Sequence, residues 1–357
     1  MKLMSRLLIA GMILAAPAAM AQQAAAPAAG PEGAAYTKPK THWGVPDFEG
    51  FWSTQSFTTM QRPEDVKELV LTQQKLEDLV YHNRYSAAER QEAGASKLDK
   101  ASSDKLLSDK NPARGYNRFW MDPGSTYARV KGEFRSSWIT FPENGRIPYT
   151  DAGISANVRA TNFNDYEIRP LAERCLMSFT GSGGPVLGNG MYNNTIQIVQ
   201  SPDSVMMLQE MIHDVRVIPI VKSAAEAKHA PSEIPKWGGD SVGWYEGDTL
   251  VVETVNSHPK QRSYISPTGK VTERYTRWSD GQIFYEFKVE DPKLYKSAWG
   301  GEMSLNHSSE PLYEYACHEG NYALPGILAG ARKLEAEGRP HPAEKPIFAG
   351  VDEADGE

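Results

Sequence analysis

Between residues 195 and 317 the sequence falls into short β-type runs, each closed by turn-forming residues. That rhythm restricts the fold more than any other feature of the chain. The runs are 195–200, 205–219, 243–254, 271–278, 283–290, 298–306 and 312–317. Their punctuation is Ser201-Pro202-Asp203, Glu246-Gly247-Asp248, Pro267-Thr268-Gly269, Ser279-Asp280-Gly281 and Asp291-Pro292, residue types that turns need for specific backbone angles. Helical patterns do not alternate with these runs, which argues against a parallel, Rossmann-type sheet. Sequential antiparallel strands in such number leave open edges unless the sheet curls on itself. The predicted fold class is therefore mainly β, an antiparallel, strongly curved sheet or a closed barrel.

Ahead of this region the texture differs. In 63–107, Leu69, Leu71, Leu76, Leu79 and Val80 recur at mixed helical spacings among charged residues, which predicts a helical insertion covering a barrel end. Residues 115–124 (GYNRFWMDPG) form an aromatic turn, 136–141 a strand and 142–146 a hairpin-type turn. The glycine-rich stretch 181–190 lacks a following Lys-Ser/Thr and any helix pattern. It reads as a mobile surface loop rather than a phosphate cradle.

The N-terminus carries an address. Lys2 and Arg6 precede a short apolar run ending at Ala19-Met20-Ala21, the pattern of a cleaved signal peptide over 1–21. A leader of Ala, Pro and Gly over 22–41 and an acidic tail over 338–357 flank a single β-rich domain at 42–337. The expected location is periplasmic or secreted, without stable membrane insertion. The net charge of −7 has no basic block, which argues against nucleic acid and anionic membrane as partners. In an oxidising compartment two thiols most often pair, so Cys175 and Cys317 are expected to form a disulfide, with free thiols or a redox role as the alternatives.

Several phrases stand in fixed order: Tyr192-Asn193-Asn194, then QEMIHDVR from 209, WYEGDTLVVET from 244, ERYTR from 273, YEFKVEDP from 285 and YEYACHEGNY from 313. With them the chain resembles a large family of secreted bacterial proteins, mostly uncharacterised and abundant in soil and aquatic Gram-negatives. The likeness includes Gly50-Phe51-Trp52 and the 115–124 turn, so it spans nearly the whole mature chain. The Gly-x-Trp start and the strand–turn–strand texture are also similar to lipocalin-like barrels. That implies, by fold analogy, a lipocalin-like barrel with a helical insertion that binds a small ligand.

The stretch 205–219 concentrates the candidate chemistry. Read as one strand, it places Met206, Leu208, Glu210, Ile212, Asp214 and Arg216 on one face, and Val205, Met207, Gln209, Met211, His213 and Val215 on the other. Glu210, Asp214 and Arg216 are then predicted to face the interior, with the 63–107 helices covering the opposite face. Two carboxylates crowded in an apolar site suit a proton shuttle, and a buried ion network with Arg216 is the alternative. His318 and Glu319, beside Gly320-Asn321, could be aimed into a barrel mouth by the disulfide. Arg174, Asn193, Asn194, Arg216, Trp237, Arg274 and Tyr313 are the candidate substrate-binding residues. His213, His318, Asp214 and Glu319 are types that suit zinc, but no His-x-x-x-His or His-Glu-x-x-His occurs, so no metal or organic cofactor is assigned and ligands drawn from distant strands stay an alternative. No Gly-x-Ser-x-Gly elbow is present.

Two functions remain open. One is an enzyme of lyase, isomerase or cyclase type, without organic cofactor, acting on a small apolar, aromatic or sugar-like molecule. Glu210 or Asp214 would be its base, His213 or His318 its acid, and Arg174 an anion holder. The other is a non-catalytic small-molecule-binding protein using the same pocket.

Overall fold

Strands account for most of the core. The computed structural model describes residues 36–106, 121–159, 169–178, 184–259, 261 and 264–339. The expected signal peptide, most of the expected leader, most of the predicted 115–124 turn and the tail beyond 339 lie outside the described residues. The chain enters through β1 (Gly50–Ser53) and continues into α1 (Gln73–His82), α2 (Arg84–Ala95) and α3 (Lys100–Leu106). Thr72 caps α1 by accepting from the Lys75 amide, and Asn83, which ends α1, caps α2 by accepting from Tyr85, the role short polar side chains play at helix starts. Leu76, Tyr85 and Ala88 of these helices pack with Phe57, Val66, Leu71 and Tyr127 in a second, smaller core. The helical insertion is thus where the sequence places it. Its covering role differs, because this core contains no residue of the 205–219 stretch.

After β2 (Arg129–Val130), β3 (Glu133–Phe134), β4 (Ile139–Phe141) and α4 (Asp151–Arg159) come the main strands. These are β5 (Thr195–Gln200), β6 (Ser204–Gln209), β7 (Val215–Pro219), β8 (Asp240–Glu246), β9 (Thr249–Val255), β10 (Lys270–Ser279), β11 (Gln282–Glu290) and β12 (Trp299–His307), followed by α5 (Ala323–Ala336). The principal sheet runs β7-β6-β5-β1-β12-β11-β10-β9-β8, with β4 added beside β12. Every neighbouring pair is antiparallel. Following the registers puts Trp52, Ile198, Met207, Arg216, Thr254, Tyr275, Tyr285 and Met303 on one face, and all of them are buried. That face is the inside of a nearly closed, barrel-like sheet, and the mainly β fold class stands.

Closure follows from the strand order. An odd number of strands along an antiparallel path makes the two end strands, β7 and β8, run parallel. They are consecutive in sequence, so they must be joined by a crossover of at least roughly a dozen residues, and the connection from Ile220 to Gly239 serves. The two strands meet at one parallel bridge, Ile220 with Gly243. Gly243 permits the approach, since a Cβ there would lie 3.0 Å from both Ile218 Cγ2 and Ile220 Cδ1.

Three expectations are corrected. The 205–219 stretch is two strands, not one. It breaks at a tight turn where Ile212 and His213 take left-handed φ of 64° and 54°, uncommon for any side chain and most of all for a β-branched one. The turn shifts the parity: Arg216 faces inward alongside Met207, its cross-strand partner, while Met206 and Leu208 lie on the outer face. Second, the described part of the glycine-rich stretch, 184–190, enters the core. Val186 and Leu187 are fully buried, the Leu187 amide donates to Tyr285 Oη (3.1 Å), and Asn189 accepts from Trp138 Nε1 at 2.9 Å. Three successive apolar residues, Pro185-Val186-Leu187, outweigh the flanking glycines. Third, 312–317 is not a strand; the disulfide and His213 hold it instead of a ladder. α5 (Ala323–Ala336) lies where the sequence predicts no element, its apolar pattern being interrupted by Pro325, Gly326 and Gly330.

Among the described residues no helix is long and apolar enough to cross a membrane. Cys175 and Cys317 are joined, with Cα atoms 5.8 Å apart.

Candidate functional site

The inside of the barrel carries a polar cluster where β7 faces β8, β9 and β10. Arg216 reaches across the seam: its Nε donates to Ser241 Oγ (3.0 Å) and its Nη2 to Thr254 Oγ1 (2.8 Å), and it is ion-paired with Glu273. Glu273 is fully buried and its Oε1 also accepts from Tyr275 Oη and Tyr285 Oη, each at 2.9 Å. Burial acts to lower the Arg216 pKa, but the Glu273 carboxylate outweighs it and holds the guanidinium above the ordinary arginine value. Burial first, and then Glu273, push the Tyr275 and Tyr285 hydroxyls well up, so both remain donors. One group is left over. Arg216 Nη1 is buried and has no hydrogen-bond partner among the described residues.

Beside this cluster a cleft of about 790 Å³ opens along the seam. Its walls are Val215, Val217 and Pro219 from β7, Asp240 to Val242 from β8, and Glu226, Lys228, Lys236 and Trp237 from the crossover; Arg216 also lines it. The crossover is pinned through Asp240, which accepts from the Ala230 amide (2.8 Å), pairs with Lys236 and lies 3.1 Å from His229 Nδ1. Burial opposes its ionisation, but Lys236 and the Ala230 amide hold the carboxyl below its usual range. Trp237 stacks on the His258 ring, centroids 3.8 Å apart and planes 23° apart.

Of the residues singled out in the sequence, Arg216 and Trp237 line this cleft. Glu210, His213 and Asp214 gather instead at the β6–β7 turn. Buried Glu210 accepts from Asn193 Nδ2 (2.8 Å) and the Thr195 amide (3.3 Å), so it ties two strand ends together. The turn at Ile212-His213 overturns the expectation that Glu210 shares the interior face with Arg216, whereas Asp214, two residues before Arg216 and paired through its carbonyl with the Gln209 amide, keeps the Arg216 parity. Asp214 accepts from the Ser178 amide at 2.9 Å, and burial, outweighing that bond, raises its pKa. His213 Nε2 accepts from the Tyr315 amide (3.0 Å), which leaves the neutral ring's proton on Nδ1. Asn194 bonds the backbone of Asp122 and Gly190. Half-buried Arg174 adjoins the disulfide. His318 and Glu319 are exposed beyond it, and among the described residues neither is hydrogen-bonded to the turn cluster. Arg274 points outward and pairs with Glu246 at 2.9 Å, and Tyr313 is 64% exposed. No group of three or more His, Cys, Asp or Glu among the described residues is placed to hold a metal ion.

The sequence reading missed Glu273, Tyr275, Tyr285, Ser241 and Thr254. A signal was present: Val271, Glu273, Tyr275 and Arg277 alternate along one strand and are all buried. Choosing Arg274 from that phrase took the wrong parity.

Glu210→Gln is expected to cost about 1–3 kcal/mol. Both carboxylate oxygens accept from N–H donors, and the amide nitrogen would leave one donor facing another. Urea denaturation of the variant checks this.

No protein-family model, curated protein or solved structure matches the chain.

Proposed function

We propose that the protein is a periplasmic or secreted small-molecule-binding protein whose ligand seat is the cleft at the β7–β8 seam. The cleft itself carries the reading. Its volume lies in the range of roughly 300–1,000 Å³ usual for ligand sites, and a mainly apolar lining with a few converging polar groups is what such sites share. Inside the barrel the Tyr285 hydroxyl is already taken by the Leu187 amide. Glu273, the one interior carboxylate in the network, is saturated by Arg216 and two tyrosines, which suits holding a shape better than moving a proton.

Thermal unfolding in the presence of the small-molecule extract of the producing cells tests the seat. A ligand at a hundred times its dissociation constant adds about 2.7 kcal/mol of stability, a rise of several degrees, and fractionation then isolates it. A melting temperature indifferent to every fraction would sink the proposal.

A second reading keeps an acid/base enzyme, centred on Asp214. It is favoured by the upward push that burial gives this carboxyl and by His213 next to it. Protons held above the ordinary carboxylate range of about 4 are what a general acid needs. On that reading Asp214→Asn abolishes turnover of the isolated ligand while its binding survives. On the binding reading no turnover is seen in either protein.

A further inference from the structure

The charges around the seam cleft are balanced. Arg216, Lys228 and Lys236 line it together with Glu226 and Asp240, and Glu273 stands behind Arg216. Lys236 is already paired with Asp240. A ligand of one charge that engaged Arg216, Lys236 or Asp240 would have to compete with the Arg216–Glu273 or Lys236–Asp240 pair, at a cost that rises with burial. A neutral ligand breaks none.

To a neutral ligand the lining offers two kinds of contact. One is apolar and flat. Trp237 is held against His258 yet remains 39% exposed, a rigid aromatic platform, and Val215 and Val217 lie half open beside it at 55% and 58%. The other is directional. Arg216 Nη1 is an unpartnered donor on a side chain only 7% exposed, and the Asp240 carboxylate is an acceptor on the same wall. An alkyl or purely aromatic ligand would use the first kind and leave the second unmet. A sugar ring uses both, since its C–H face stacks on an aromatic ring and its hydroxyls each donate and accept.

We infer that the seam cleft takes a neutral, hydroxyl-rich ring, a sugar laid on Trp237 with its hydroxyls toward Arg216 and the Lys236–Asp240 pair. The inference rests on the seat proposed above and deepens it. Trp237 positions the ring, and Arg216 selects against ligands that bring no acceptor.

The test uses the mature chain, Trp237→Ala and Trp237→Phe. The probes are a panel of neutral mono- to trisaccharides spanning hexoses, pentoses and N-acetylhexosamines, with benzoate as an aromatic anion and N-phenyl-1-naphthylamine as an uncharged apolar dye. Binding is read by titration calorimetry and saturation-transfer NMR. At least one sugar is expected to bind, to weaken about tenfold in Trp237→Ala, and to recover in Trp237→Phe, with melting temperatures unchanged because the side chain is partly exposed. Sugar binding that Trp237→Ala leaves untouched overturns the inference. So does a panel in which only benzoate or the dye binds in a Trp237-dependent way, and the seat itself then stands with a different ligand class. If no probe binds in a Trp237-dependent way, the inference and the proposed seat fall together.

Discussion

Replacing Glu273 by glutamine is expected to lower the free energy of unfolding by about 3–5 kcal/mol. The carboxylate is fully buried and accepts from Arg216, Tyr275 and Tyr285 at once. Glutamine keeps the volume but cannot neutralise Arg216, whose pKa lies above the ordinary arginine value and which therefore stays charged. The loss reports a stranded charge, not the net worth of the pair. Changing both partners to apolar residues, Arg216→Met with Glu273→Leu, should for that reason recover most of it. Urea midpoints at constant slope measure both effects. A Glu273→Gln variant within 1 kcal/mol of the parent would mean that water reaches the pair, and the seam would then have to be far more open than the Arg216 contacts to Ser241 and Thr254 allow.

The second large effect concerns the disulfide. Cys175 and Cys317 are separated by 142 positions, and the chain-entropy relation assigns closure of so long a loop about 5 kcal/mol, an upper figure because the unfolded chain is not a random coil. The paired variant Cys175→Ser/Cys317→Ser should approach that loss in chemical denaturation. Locally, the bond fixes a segment that no sheet ladder holds. The Tyr315 amide bonds His213 at the β6–β7 turn, and Asn321 Nδ2 bonds the Glu173 carbonyl (3.1 Å) across the same two stretches as the disulfide. Limited proteolysis of the variant should therefore cut first between 308 and 322. A variant equal to the parent in both stability and cleavage pattern would show that the hydrogen bonds alone suffice.

Local structure was legible wherever a segment could be read from its own residues. The run 195–200 matches β5, and 271–278 and 283–290 match β10 and β11 to within one residue at each end, because alternating burial and the Ser279-Asp280-Gly281 turn are local signals. The helices between Gln73 and Leu106 were legible for the same reason. The tight turn at Ile212-His213 was not, since neither residue type favours a left-handed backbone and nothing in QEMIHDVR announces a break. That single slip of parity moved Glu210 off the face that carries Arg216 and misassigned the site, because in a strand a shift of one residue exchanges the two faces. Trp237 was singled out for its type, but the wall it belongs to depends on where the crossover lands.

By itself the sequence determined the mainly β class, the helical insertion and the pairing of Cys175 with Cys317. Each of these follows from residue type, spacing or compartment. The tertiary structure alone decided that β7 and β8 close the sheet in parallel, that the glycine-rich stretch enters the core, and that Arg216 meets Glu273 across the seam. Those outcomes join residues far apart in the chain, and their energies depend on burial and charge compensation that no local window contains. A buried arginine is tolerable only where a distant carboxylate has been folded against it, and which carboxylate that is depends on the topology of the strands between them.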